Sequence, residues 1–134
     1  MWKFRTMVNN AHLIGPGLTA HNDKRITPLG KFLRRSSIDE LPQLINVLMG
    51  NMSIVGPRPE IPEIVKTYTT EQKRALTVKP GITGLSQING RDDLPIDKKL
   101  KYELEYVESS SMVFDLKIII KTIPALLSGR GNRY

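Results

Sequence analysis

The chain has 134 residues and a mass of 15.1 kDa, enough for one domain with a single core. It is 40% hydrophobic and 25% charged and contains no cysteine, which excludes disulfides, thiolate chemistry and cysteine-ligated zinc. A net charge of +7 calls for an anionic partner. The excess is local: residues 1–36 hold Lys3, Arg5, Lys24, Arg25, Lys31, Arg34 and Arg35 against Asp23 alone. Nucleic acid, anionic lipid and a phosphorylated substrate all fit such a patch, as does a solvated face. His12 and His21 lack a partner at metal-ligand spacing and read as surface or loop residues.

Trp2 to Val8 alternates apolar and polar residues, which predicts a short strand followed by a loop through Asp23. Thr27-Pro28 supplies an N-cap with proline at the first helical position and opens a helix to Arg35. Ser37-Ile38-Asp39-Glu40 has the capping-box pattern, and Leu41, Leu44, Ile45 and Leu48 continue at helical spacing until Gly50 stops them. Asn51–Gly56 reads as β-like, and Glu60–Tyr68 and Thr70–Leu76 as two short helices. Residues 79–84 read as a turn-rich loop and Leu85–Asn89 as a strand. A charged helix over Ile96–Glu108 carries Ile96, Leu100, Leu104 and Val107 on one face, and Ser111 can cap a last helix. Met112 to Leu127 is interrupted by Asp115, Lys117, Lys121 and Pro124, so it cannot cross a bilayer and reads equally as a helix lying on one or as a buried core helix. These elements predict one α+β domain over residues 1–134, α-rich, with a few short strands and amphipathic helices.

The residues suited to chemistry cluster in Arg34-Arg35-Ser36-Ser37-Ile38-Asp39-Glu40. Acidic residues in a first helical turn favour the macrodipole, so Asp39 and Glu40 read equally as caps. Pro42 leaves the start of the helix open. With Ser37 as cap it removes a backbone bond; with a start nearer Asp39 it is harmless, and both carboxylates stand at a distorted helix mouth that favours phosphate. In Gly56-Pro57-Arg58-Pro59 the flanking prolines hold Arg58 on stiff, extended backbone, suited either to a rigid turn or to gripping a phosphate. Lys79-Pro80-Gly81-Ile82-Thr83-Gly84, with Gly90-Arg91 after it, offers glycines and the Thr83 hydroxyl for phosphate contact, without P-loop spacing.

In order, Lys3-Phe4-Arg5-Thr6-Met7, residues 35–44, Asn46-Val47-Leu48, residues 52–59 and residues 79–84 resemble the bacterial sugar transferases, the monotopic polyprenyl-phosphate phosphoglycosyl transferases. The resemblance runs from Trp2 to about Leu127. It implies that Asp39 is the nucleophile and Glu40 the second member of a catalytic dyad. Asp39 would take a sugar phosphate from a UDP-sugar with release of UMP, and polyprenyl phosphate, deprotonated with help from Glu40, would accept it. Mg²⁺ is the implied cofactor with Asp39 as its ligand, and Arg58, Arg91, Lys79, Arg5 and Thr83 are the implied substrate contacts. The implied address is the cytoplasmic face of the bacterial inner membrane, on an anionic surface. No nucleic-acid partner is expected, and homo-oligomerisation stays open. The family ordinarily begins with a re-entrant membrane helix, whereas this sequence starts inside the Lys-Phe-Arg motif. Two alternatives follow: a catalytically inactive fragment, or a basic binding module for anionic lipid or nucleic acid.

Overall fold

A computed structural model of the chain describes residues 1–15, 19, 20 and 22–128; His21 lies outside them. The N-terminal ten residues do not form the expected strand. A strand needs a partner for its backbone, and here pairing is limited to one antiparallel bridge between Met7 and Ile26. A single helical turn, α1 (Ala11–Ile14), interrupts the following loop.

Helix α2 (Pro28–Ser36) starts as its sequence dictates: the Thr27 hydroxyl accepts the Gly30 N–H at 2.9 Å, with Pro28 at the first position. Gly30 is obligatory for packing, since a Cβ there would stand 1.9 Å from the Thr6 carbonyl oxygen. Helix α2 ends at Ser37, which takes the left-handed conformation (φ 56°) and donates its N–H to the Arg34 carbonyl. Ile38–Glu40 then makes a 3₁₀ turn, and α3 (Gln43–Leu48) begins only after Pro42. Proline therefore costs no helical bond, which decides between the two starts that the sequence left open.

Strands β1 (Ser53–Val55) and β2 (Gly81–Thr83) pair in parallel, Ser53 opposite Gly81 and Val55 opposite Thr83. Between them lie α4 (Pro62–Val65) and a 3₁₀ turn over Gln72–Leu76. The glycines around this pair let two backbones touch: a Cβ on Gly81 would lie 2.1 Å from the Gly56 nitrogen, and one on Gly84 2.2 Å from the Gly56 oxygen. The Lys79–Gly84 segment is thus strand β2 with the exposed turn that leads into it. Leu85–Ile88 is helical (α5), against the expected strand; four apolar-flanked residues do not separate the two by pattern.

Helices α6 (Ile96–Ser109) and α7 (Met112–Ser128) close the fold over β1 and α5. The Ser111 hydroxyl accepts the Phe114 N–H at 3.2 Å, as a cap should. Val55, Leu85, Tyr106 and Ile118 form the core, with Ile88, Tyr102 and Phe114 against it. The buried face of α6 is Leu100, Glu103 and Tyr106, while Ile96 is 40% exposed. The expected apolar face is rotated because two polar side chains take inner positions: Glu103 meets Ser86, and the Tyr106 hydroxyl bonds Asp115 at 2.8 Å.

Candidate active site

The 3₁₀ turn between α2 and α3 places two adjacent carboxylates, Asp39 and Glu40, on the wall of a polar cleft of about 170 Å³. Lys3, Thr6, Arg34, Arg58, Arg91 and Asp92 line the same cleft. Both carboxylates are buried, each residue 8% exposed. The backbone beneath them is tied down, since the Phe4 N–H donates to the Asp39 carbonyl at 3.0 Å. This bond brings the Lys3–Phe4 segment alongside the turn, and Lys3 with it.

The capping box does not form. Ser37 makes no side-chain cap, and Glu40 reaches away from the helix toward cations. Its Oε1 accepts from Lys3 Nζ at 2.9 Å and from Arg58 Nη2 at 3.3 Å, and its Oε2 lies 3.7 Å from Arg91 Nη2. Burial alone would push the Glu40 carboxyl up, but Arg58, Lys3 and Arg91 together hold it down to about 2. Glu40 is therefore a fixed anion that gathers three cations around one point.

Asp39 has the opposite balance. Burial, and then the neighbouring Glu40 charge, raise its carboxyl above the usual range, with Lys3 and Arg34 opposing them. Asp39 enters no ion pair among the described residues, because the nearby cations are committed elsewhere. Arg34 is held by the Thr6 hydroxyl at 2.9 Å and the Thr19 hydroxyl at 3.3 Å. The result is one carboxylate free to act and one that organises the charge beside it.

Two strained residues meet here. Ser37 (φ 56°) and Arg91 (φ 51°) both hold left-handed backbone, and Arg91 donates to the Ser37 hydroxyl at 3.3 Å. Gly90, at φ 139°, lets the chain turn so that the 3₁₀ turn Arg91–Asp93 presents its arginine inward.

Of the residues singled out by sequence, Asp39, Glu40, Arg58 and Arg91 come together. Arg5 is exposed and donates to Asn9; Lys79 is also exposed; neither lines the cleft. Thr83 is buried in β2 and shares a 2.7 Å hydrogen bond with Thr122, outside the polar cleft. Lys3, Thr6 and Asp92 enter the site although their local sequence gives them no site role, and Arg34 enters it as the first residue of the cluster that the sequence singled out. The signal for Lys3 and Arg34 is the charge excess of residues 1–36.

The donor set bears on a divalent ion in two ways. No group of three or more acidic or histidine side chains among the described residues could cage one. Mg²⁺, however, is ordinarily bound by one or two carboxylates together with substrate phosphates, and Asp39 with Asp92 on the same cleft fits that need.

With this geometry in view, residues 1–129 match the family model described as "Bacterial sugar transferase". The chain belongs to the bacterial sugar transferase family. It is 44% identical over 98% of its length to the galactosyl transferase CpsE of Streptococcus agalactiae, of which it covers 32%. It is 44% identical over 98% of its length to the sugar transferase EpsL of Bacillus subtilis, covering 64% of that protein. With the UDP-glucose:undecaprenyl-phosphate glucose-1-phosphate transferase of Escherichia coli it shares 43% identity over 92% of its length, covering 28% of that protein. The chain thus spans between 28% and 64% of the length of these three relatives. The matched region includes every residue of the cleft.

Proposed function

We propose that the chain carries the catalytic centre of a phosphoglycosyl transferase that moves a sugar phosphate from a UDP-sugar to a polyprenyl phosphate, releasing UMP, in exopolysaccharide or related surface-glycan synthesis. The observation that carries this reading is the division of labour between the adjacent carboxylates: Asp39 without an ion-pair partner among the described residues, and Glu40 locked to Lys3, Arg58 and Arg91. A relative acting on UDP-glucose and undecaprenyl phosphate supports the substrate class.

In this mechanism the diphosphate enters the cleft against Arg34, Arg58 and Arg91, whose charges lower the repulsion between a carboxylate and a phosphate. Asp39 attacks the sugar-bearing phosphorus; an O–P bond forms, the O–P bond to UMP breaks, and UMP leaves with the electron pair. The sugar phosphate is then held on Asp39 as an acyl phosphate. A phosphate oxygen of the lipid acceptor attacks the same phosphorus and returns Asp39 as a carboxylate. Glu40, held ionised, keeps Lys3, Arg58 and Arg91 aimed at the transferring group; it can take a proton from the acceptor only as the diphosphate draws those cations away. Mg²⁺ held by Asp39 and Asp92 would neutralise diphosphate charge.

The outer face of α7 supports a membrane-surface address for this chemistry. Val113, Leu116, Ile120, Ile123 and Leu127 follow helical spacing and are exposed, with Lys117 and Lys121 beside them. No helix among the described residues is long and apolar enough to cross a membrane.

A covalent route splits the reaction, so its first half needs only UDP-sugar and Mg²⁺. Incubated with a panel of UDP-sugars and no acceptor, the protein should release at most one UMP per molecule and gain the matching sugar-phosphate mass. Brief hydroxylamine should strip that mass. Asp39→Asn should abolish the adduct with little change in melting temperature. An Asp39→Asn protein that still forms the adduct, or lipid transfer without any adduct, would refute the nucleophile assignment.

A further inference from the structure

Beside the polar cleft lies a second cavity of about 150 Å³ with an almost wholly apolar lining. Leu41 and Leu44 form one wall, Ile82 part of another, and Ala125 and Leu126 of α7 a third. The two cavities are neighbours with a common wall, since Ser37, Glu40 and Arg91 line both. Arg91, held at Ser37 on strained backbone, therefore stands at the junction between a cationic site and an apolar one.

Resting on the reading above, we propose that this groove holds the first isoprene units of the polyprenyl phosphate acceptor, with the lipid phosphate passing Arg91 into the cleft. Three observations select that occupant. A ligand must be apolar in the groove and anionic within reach of Arg91, and a prenyl phosphate joins those properties at one bond. The elements that wall the groove also carry exposed apolar side chains, Leu44 at 45% and Leu48 at 87% on α3 and Ile123 at 61% and Leu127 at 84% on α7, which offer apolar surface to the remainder of a long chain. Finally, the Thr83–Thr122 hydrogen bond satisfies the hydroxyls that β2 and α7 bring to this groove, which leaves the Gln87 amide nitrogen as its one unpartnered buried donor among the described residues. This gives Thr83 a place in an acceptor wall in place of a phosphate contact.

The test uses the 134-residue chain in nanodiscs and a photoreactive prenyl phosphate of three isoprene units with a diazirine on the first. Peptide mass spectrometry should find the label on Leu41, Leu44, Ala125 or Leu126. Unlabelled prenyl phosphate should compete, and the corresponding prenyl alcohol and inorganic phosphate should compete far less well. Ala125→Trp, which fills the groove, should cut labelling about tenfold or more. Leu44→Glu, at a half-exposed position that tolerates charge, should do the same if the tryptophan variant does not fold. Label spread along the exposed α7 stripe and insensitive to both variants would overturn the proposal, as would equal competition by the alcohol. Neither labelling nor competition requires turnover. Groove labelling without an Asp39 adduct would therefore defeat the transferase reading, and an adduct without groove labelling would defeat this one.

Discussion

Asp39 and Glu40 are neighbours in sequence and differ by one methylene, yet the fold gives them opposite charge behaviour. The difference comes from reach: Glu40 touches Lys3, Arg58 and Arg91, which are contributed by three separate segments, while Asp39 faces the open cleft. A local pattern such as the capping box cannot register partners that far along the chain. The pair was legible as chemistry and the family resemblance implied separate roles, but the charge partners that set the two carboxylates apart were not legible. The same limit applies to Glu103, which local sequence assigns to no role. It is 5% exposed, and its Oε1 lies 2.5 Å from the hydroxyl of the fully buried Ser86, which also reaches Gln87 Oε1 at 3.1 Å. Ser86 donates to Glu103, while the second carboxyl oxygen, Oε2, is buried without a hydrogen-bond partner among the described residues. Burial pushes the Glu103 carboxyl up to about 7, against the pull of Ser86, the Arg58 backbone and Lys99, with Glu60 adding to the rise. Tyr68 feels the same group, because Glu103 charge helps raise the tyrosine hydroxyl. Between the ordinary carboxyl range and pH 7 the folded state holds this proton and the unfolded state does not, so stability falls as pH rises through that window and levels off above it. Glu103→Gln, which keeps the neutral hydrogen-bonding shape, should remove this dependence. Between pH 5 and pH 8 the parent should lose roughly 2–3 kcal/mol that the variant keeps, since each tenfold change in proton affinity is worth about 1.4 kcal/mol. Urea unfolding at pH 5 and pH 8 measures it, and parallel pH dependences for both proteins would refute the assignment.

At the scale of elements, stop and start signals read from sequence held where they were local. Thr27-Pro28 opens α2 and Ser111 caps α7, because each cap is a bond within four residues. The failures are elements whose conformation depends on a distant partner. Trp2–Val8 alternates like a strand but finds only the Met7–Ile26 bridge, and the face of α6 is set by Ser86 and Asp115 on other elements. The glycines of the 79–84 segment were legible as close backbone approach, but the approaching group is Gly56. Their role is to let β1 and β2 lie close enough to carry the Arg58 loop and the α5–Arg91 turn away from one point. Gly81→Ala should therefore damage the site through the scaffold. A Cβ meeting the Gly56 nitrogen at 2.1 Å and the Thr83 oxygen at 2.5 Å forces the strands apart, at a cost of about 1–3 kcal/mol. Thermal unfolding should show a drop of several degrees, and an unchanged midpoint would mean that the pair tolerates separation.

Over the whole molecule, the basic N-terminal segment, the cleft and the α7 stripe are the three surfaces that the proposed charged, apolar-tailed acceptor would meet. The sequence showed both the charge excess and the interrupted apolar run, but left α7 open between a core helix and an interfacial one. The structure gives it both faces: Ile118 is 1% exposed in the core, while Val113, Leu116, Ile120, Ile123 and Leu127 point outward. Lys117 and Lys121, interspersed with that stripe, can extend their ammonium groups to lipid headgroups while their stems cover apolar surface. Two separable contributions to membrane binding follow. The electrostatic one, on the order of 1 kcal/mol per lysine or arginine near an anionic surface, decays over a Debye length that shrinks from about 10 Å at 0.1 M salt to about 3 Å at 1 M. The apolar one does not weaken with salt. Cosedimentation with anionic vesicles should therefore fall steeply as salt rises and settle at a residual level. Leu116→Ser with Ile120→Ser should remove the residual while leaving the salt-dependent part. Lys117→Glu with Lys121→Glu should do the reverse, flattening the salt response. Equal binding to neutral and anionic vesicles at low salt would sink the electrostatic contribution, and a residual untouched by the serine pair would take α7 off the membrane.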